Sequence, residues 1–146
     1  MALVIHLQRC PGGRRPMEAR PSLRLVAGLG IEGDHHARPG SSRQVLLMAQ
    51  EDCDRFGLSP GEVRENIVTR GIDLTALAPG TLLRVGSAVL EITKPCEPCA
   101  FIDSVRPGLR ARIGNRRGLL ARVVASGEVR VGDAVGPEAA VQRPRS

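Results

Sequence analysis

Apolar residues along this chain come in short runs, alternating or continuous, rich in Val, Leu and Ile and interrupted by Gly or Pro about every ten residues. A strand presents successive side chains to opposite faces, so a period of two predicts strands at 3–8, 23–27, 44–48, 66–69, 81–85, 88–93 and 129–131. Val85-Gly86-Ser87 links two of these runs as a hairpin, and Ala78-Pro79-Gly80 turns the chain into another. Glu128-Val129-Arg130-Val131-Gly132 repeats the look of Leu82-Leu83-Arg84-Val85-Gly86, a strand running into a Gly turn. Short strands escape open edges by closing on themselves. The expected fold class is therefore mainly β, a closed or partly open barrel with a few short helices.

Two segments read as helix. Residues 49–56 end at Gly57, the residue that most easily takes a left-handed C-cap. Residues 108–121 place Leu109, Ile113 and Leu120 on one face, against the breaking tendency of Gly114 and Gly118. Residues 137–146 carry Pro137, Pro144 and no period, which predicts a disordered tail. That leaves 1–136 as the one ordinary domain that 146 residues accommodate.

Composition sharpens this in two ways. With two Phe and no Trp or Tyr, the core must be aliphatic, and the stacking platforms that hold single-stranded nucleic acid are missing. The net charge of +6 thus argues only weakly for a nucleic-acid partner. Of the 21 basic residues Lys94 is the only lysine, and Arg offers a planar fork that grips phosphate or carboxylate bidentately. An anionic small molecule is the expected ligand. The opening residues lack a basic stretch followed by a long apolar one, and no apolar run approaches the roughly 18 residues of a membrane span. A cytoplasmic location without membrane contact follows as the expectation, with Cys10, Cys53, Cys96 and Cys99 as thiols rather than disulfides.

Gly28-Leu29-Gly30-Ile31-Glu32-Gly33 has the G-x-G-x-x-G spacing of dinucleotide-binding turns, but Pro39 and the absence of helical period after it remove the required helix. Asp34, His35 and His36 form a polar cluster in which a carboxylate can fix an imidazole tautomer for proton transfer or metal binding. Adjacent residues of an extended chain point oppositely, so only one of the two histidines can serve a given site. Cys96-Glu97-Pro98-Cys99 admits three readings. A redox dithiol normally opens a helix within a βαβ pattern, and neither is evident. A zinc site needs four ligands, which Cys96, Cys99, Cys10 and His35 could supply. A working thiolate needs one cysteine and nearby cations, for which Lys94, Arg106 and Arg110 are the local candidates. Cys53 reads as a small apolar residue of the first helix. Asn66, after the turn Ser59-Pro60-Gly61-Glu62, offers donor and acceptor together.

Taken in order, Arg15-Pro16-Met17, Gly30-Ile31-Glu32-Gly33-Asp34-His35-His36, Arg43-Gln44-Val45, Pro60-Gly61-Glu62, Glu65-Asn66-Ile67, Gly71-Ile72-Asp73-Leu74, Gly80 to Gly86 and Pro98-Cys99 resemble the MOSC family. This domain occurs at the C-terminus of molybdenum-cofactor sulfurases and as small bacterial proteins. The resemblance implies a β-barrel in which Cys99 carries sulfur or binds the molybdenum of the cofactor. It also implies that Asp34, His35 or His36, Arg43, Glu65 and Asn66 belong to the cofactor pocket. Many members read Gly-Asp-Arg-His where this chain has Gly33-Asp34-His35-His36, which leaves open which imidazole points inward. Cys96 is a second thiol outside the family pattern and a possible further metal ligand. Pyridoxal phosphate belongs to the sulfurases' separate desulfurase domain, and only Lys94, wedged before Pro95, could form its Schiff base.

Three functions follow as expectations. The first is a sulfur carrier or molybdenum-cofactor binder using the Cys99 thiolate, with a sulfur-donor or electron-transfer protein as partner. The second is a molybdenum-dependent reductase of N-hydroxylated compounds. The third is a zinc-stabilised module without catalysis.

Overall fold

A computed structural model describes residues 1–138. In chain order its elements are β1 (Ala2–Arg9), β2 (Glu18–Ala19), β3 (Ser22–Val26), β4 (Gly30–Ile31), β5 (Val45–Ala49), α1 (Gln50–Phe56) and β6 (Ile67–Arg70). There follow β7 (Leu82–Val85), β8 (Ala88–Pro95), α2 (Ala100–Val105), α3 (Leu109–Ile113), β9 (Leu119–Ala125), β10 (Gly127–Arg130) and β11 (Ala134–Pro137). Single 3-10 turns occupy Leu74–Ala76 and Gly114–Arg116. The expected class is the one observed: seven strands close in the order β11, β7, β8, β9, β5, β6, β1, and β11 returns to pair with β1. Closure uses both edges of β11, which sets Val135 opposite Val85 on one side and Ala2 on the other.

Alternation explains the barrel's layers. On β5, Val45, Leu47 and Ala49 point into an aliphatic core shared with Leu90, Ile92, Ala121 and Val123. The intervening Met48 points outward, yet it is equally buried, because α1, α2 and α3 cover that face with Cys53, Phe56, Ile102, Leu109 and Ile113. Hence β5 reads as a continuous apolar run, as strands covered on both faces do. It is parallel to β6, with α1 and the following loop as the crossover; the other strand pairs are antiparallel. A second sheet, β10-β3-β4, adds Leu23, Leu25, Ile31 and Val129 to the barrel core.

The hairpin at Gly86-Ser87 joins β7 and β8 with Val85 opposite Ala88. The first helix ends as expected, with Gly57 at φ 65° and its N–H on the Asp54 and Cys53 carbonyls. The helix expected over 108–121 is half wrong. It stops at Ile113, and its last residues belong to β9, between β8 and β5. Gly114, the C-cap residue at φ 47°, ends the helix, and Gly118, at φ 122°, leads into β9 where a Cβ would collide with the Leu47 carbonyl. Past it, Leu119, Ala121 and Val123 alternate into the core at strand period. Pro137 closes β11 and the Glu138 N–H donates to the Leu82 carbonyl; the rest of the expected tail lies outside the described residues. Among the described residues no helix is long and apolar enough to cross a membrane.

Candidate functional site

Several chain segments converge on one rim of the barrel. Asn66, at the start of β6, joins three of them. Its Oδ1 accepts from the Leu46 N–H at 3.0 Å, and its Nδ2 donates to the Gln8 carbonyl at 3.2 Å and to Asp34 Oδ1 at 3.1 Å. Asp34 is buried behind a turn that its own N–H closes on the Ile31 carbonyl. Its Oδ1 also accepts from the Cys10 N–H at 2.6 Å, and its Oδ2 accepts from the His36 N–H at 2.9 Å, with His36 Nδ1 at 3.3 Å. Burial alone would raise the Asp34 carboxyl; the hydrogen bonds from His36 and the Cys10 backbone outweigh it and hold its pKa below the usual 3.8.

These groups frame a cavity of about 690 Å³. Arg14, Arg43, Arg64, Arg117 and His36 line it together with the apolar Leu46, Leu120 and Phe101. Both motif thiols reach it. Cys99 is exposed, while Cys96 is buried against Leu46 and Leu120 with its N–H on the Gly118 carbonyl. Arg117 is buried and donates one N–H, from Nη2, to the Val63 carbonyl at 2.8 Å; no protein atom accepts from its Nε or Nη1. A buried guanidinium so incompletely paired is costly by itself and favours an anion nearby.

Of the residues singled out from the sequence, Cys99, Cys96, His36, Arg43 and Asn66 line this cavity, and Asp34 holds two of them from behind. His35 does not line it; its ring is exposed and sits edge-on to His36. Nor does Glu65. Its fully buried carboxylate accepts from the Gly61 N–H at 2.7 Å and the Val63 N–H at 3.3 Å, folding back on its own turn. Burial raises its pKa above 4.5 despite those bonds. Of the expected cations, Arg110 donates from Nε to the Pro98 carbonyl at 3.3 Å, Arg106 binds the Gly57 carbonyl, and Lys94 is exposed at the end of β8. Cys53 is buried in the layer under α1, where burial pushes its thiol up to about 12.

A helix does follow the cysteine pair, contrary to the sequence reading: Cys99 is the N-cap residue of the six-residue α2. The redox pattern is still incomplete, because β8 pairs antiparallel with β9 and residues 96–99 contain no turn or bend. Cys96 and Cys99 are both free thiols. Among the described residues no three His, Cys, Asp or Glu side chains gather as a metal site. The convergence of Cys96, Cys99, Cys10 and His35 on zinc is therefore not formed; what touches Cys10 Sγ is Arg64 Nη2, at 3.1 Å.

Arg14, Arg64 and Arg117 are the charged cavity residues that sequence reasoning missed. Arg64 precedes Glu65-Asn66 and Arg117 precedes Gly118, so proximity to those motifs is the one signal available. Arg64 has φ 70°, the sole positive φ outside glycine among the described residues. That conformation costs a residue with a Cβ about 1–2 kcal/mol.

The MOSC domain family model matches residues 32–136, which carry most of this barrel and the whole Asp34, Asn66 and Cys99 frame. The chain belongs to the MOSC domain family, a family linked to molybdenum-cofactor functions. Solved structures agree on the fold. The YuaD protein from Bacillus subtilis superposes with a TM-score of 0.77 at 20% identity, over 92% of this chain and 94% of that one. YiiM from Geobacillus stearothermophilus gives 0.74 at 16% identity, over 95% of this chain and 76% of that one. YiiM from Escherichia coli gives 0.69 at 19% identity, over 94% and 70% respectively. No curated protein sequence matches significantly.

Proposed function

We propose that the cavity binds a molybdenum cofactor, with the Cys99 thiolate as the metal's protein ligand and the arginines holding the pterin's phosphate. The observation that carries this reading is the meeting of an exposed thiol with Arg14, Arg43, Arg64 and Arg117 around one cavity. The residues fit the group on chemical grounds. Thiolate is a soft ligand suited to such a metal, and guanidinium forks suit a phosphate. About 690 Å³ lies within the range of small-molecule and cofactor sites. When bound, the cofactor would supply two-electron and oxygen-atom chemistry. The chain's own residues orient it and shape its surroundings. Arg117, with Nε and Nη1 unclaimed by protein, has donor capacity to spare beside the anion. Asp34, accepting from His36 Nδ1, leaves His36 Nε2 as the nitrogen that can exchange a proton with a ligand. Leu46, Leu120 and Phe101 supply the apolar part of the lining.

Such a site would work with an electron-transfer protein, in a cytoplasmic compartment that keeps its four free cysteines reduced. The exposure of Cys99 also favours a second reading, in which its thiolate attacks the outer sulfur of a donor protein's persulfide, breaking that S–S bond, releasing the donor's thiolate and leaving a persulfide on Cys99 that is passed on. Elemental analysis and intact mass of protein purified from cells making the cofactor separate the two. Molybdenum near one per chain, lost at least tenfold in Cys99→Ala but kept in Cys53→Ala, supports cofactor binding. A persulfide adduct on Cys99 without molybdenum supports the carrier. Molybdenum retained in full by Cys99→Ala would overturn the ligand assignment.

A further inference from the structure

Arg64 is the residue whose backbone and side chain make opposite demands. Its φ of 70° is one that glycine adopts freely and arginine does not, yet the guanidinium is used on both of its outer nitrogens. Nη1 donates to the Arg15 carbonyl at 2.6 Å; Nη2 donates to the Gly13 carbonyl at 3.0 Å and meets Cys10 Sγ at 3.1 Å. All three partners lie on the loop leaving β1, about fifty residues earlier in the chain. That loop contains two glycines at positive φ, Gly12 and Gly13, and its one internal backbone bond is the Arg15 N–H on the Gly12 carbonyl at 3.2 Å. It has little of its own to hold its shape. It nevertheless brings Arg14 to the cavity wall, beside Arg64 itself.

We propose that Arg64 is a positioning residue: by clamping the Cys10–Arg15 loop it places Arg14 on the cavity, so that one side chain governs two of the cavity's positive charges. This rests on the cavity being an anion site, and it adds a claim about how the site is assembled. The fork matters as well as the charge. A lysine at 64 would keep the charge but could not bond two carbonyls and a thiol from one rigid plane. The clamp also accounts for the backbone strain, which glycine at 64 would relieve while leaving the loop untied.

The test uses the full chain and inorganic phosphate as probe, with variants Arg64→Gly, Arg64→Lys, Arg14→Ala and the double variant Arg64→Gly with Arg14→Ala. Hydrogen exchange of the amides at 12–15 and alkylation of Cys10 are followed together with phosphate affinity by calorimetry. A clamp predicts at least tenfold faster exchange at 12–15 and tenfold faster Cys10 alkylation in both Arg64 variants, with exchange in the barrel strands unchanged. It also predicts that Arg14→Ala, which weakens phosphate binding several-fold alone, changes it less than twofold once Arg64 is glycine. Equal losses from Arg14→Ala in both backgrounds, or exchange at 12–15 unaltered in Arg64→Lys, would overturn the proposal. Should the wild type bind no phosphate, the anion reading fails, while exchange and alkylation still decide the clamp.

Discussion

Asn66 stands between two buried carboxylates whose surroundings act in opposite directions. Asp34 lies in the loop between β4 and β5, and its two oxygens meet four donors from Cys10, His36 and Asn66, two of them on side chains. Glu65, next to Asn66 in sequence, receives two backbone N–H groups of its own turn. Both are removed from water, and burial is the largest influence on each. Asp34 still ends below its ordinary pKa and Glu65 above it. The difference teaches that burial does not by itself decide whether a carboxylate is charged; the number and reach of its donors do. It also divides the rim by role. Asp34 ties distant segments to the cavity, whereas Glu65 stabilises the turn that delivers Asn66 and Arg64.

The comparison breaks most sharply at Asn66. Asn66→Ala takes one acceptor from Leu46 and two donors from Gln8 and Asp34, all buried, so a loss of about 3–4 kcal/mol is expected in urea unfolding. Phosphate binding should fall with it, because β1, β5 and the Asp34 loop lose their common anchor. Asp34→Asn comes next. Its amide nitrogen must face a donor from Cys10 or His36, which costs about 2 kcal/mol at neutral pH. The sign with pH follows from the lowered pKa. The native state binds fewer protons at Asp34 than the unfolded chain, so its contribution is complete above 3.8 and disappears as pH falls through the lower folded value. The wild-type advantage over Asp34→Asn should therefore narrow below about pH 3.8. An advantage independent of pH would mean that Asp34 is not held as a carboxylate.

Much of this arrangement could be read along the chain, for a physical reason. Strands announce themselves by period two, and the expected strands at 3–8, 44–48 and 88–93 fall on β1, β5 and β8. The start of β9 was hidden because the features that make it, a glycine pressed on the Leu47 carbonyl and the core-facing Leu119 and Ala121, exist only once β5 is beside it. The same holds at the site. Asp34, His36, Asn66 and Cys99 stood out through short motifs, but Arg64 and Arg117 are two among many arginines. Only contacts some fifty residues away distinguish them. Glu65 is expected in the pocket because the Glu65-Asn66 segment resembles a polar signature of the family. Its carboxylate is instead taken by the Gly61 and Val63 N–H groups of the preceding turn, contacts that no local pattern announces.

Glu65→Gln gives the smallest effect and tests the other half of the comparison. With its folded pKa above 4.5, native Glu65 holds its proton more tightly than the unfolded chain does. Its contribution is then fullest below 4.5 and is lost as pH rises through the folded value, the reverse of Asp34. Glutamine cannot titrate, and it keeps an oxygen for one of the two N–H donors at Gly61 and Val63. Arg117 is the weakest of the influences lowering Glu65, so neutralising the carboxylate should disturb that guanidinium little. The expected change near neutral pH is on the order of 1 kcal/mol or less. The informative quantity is the slope: urea unfolding from about pH 4.5 to pH 7 should show wild-type stability drifting down relative to Glu65→Gln. If the two run parallel, the folded pKa of Glu65 is not raised and the carboxylate is ionised at neutral pH as it is in the unfolded chain. The donors of a single turn would then suffice to offset full burial, and the division of the rim by donor reach would be lost.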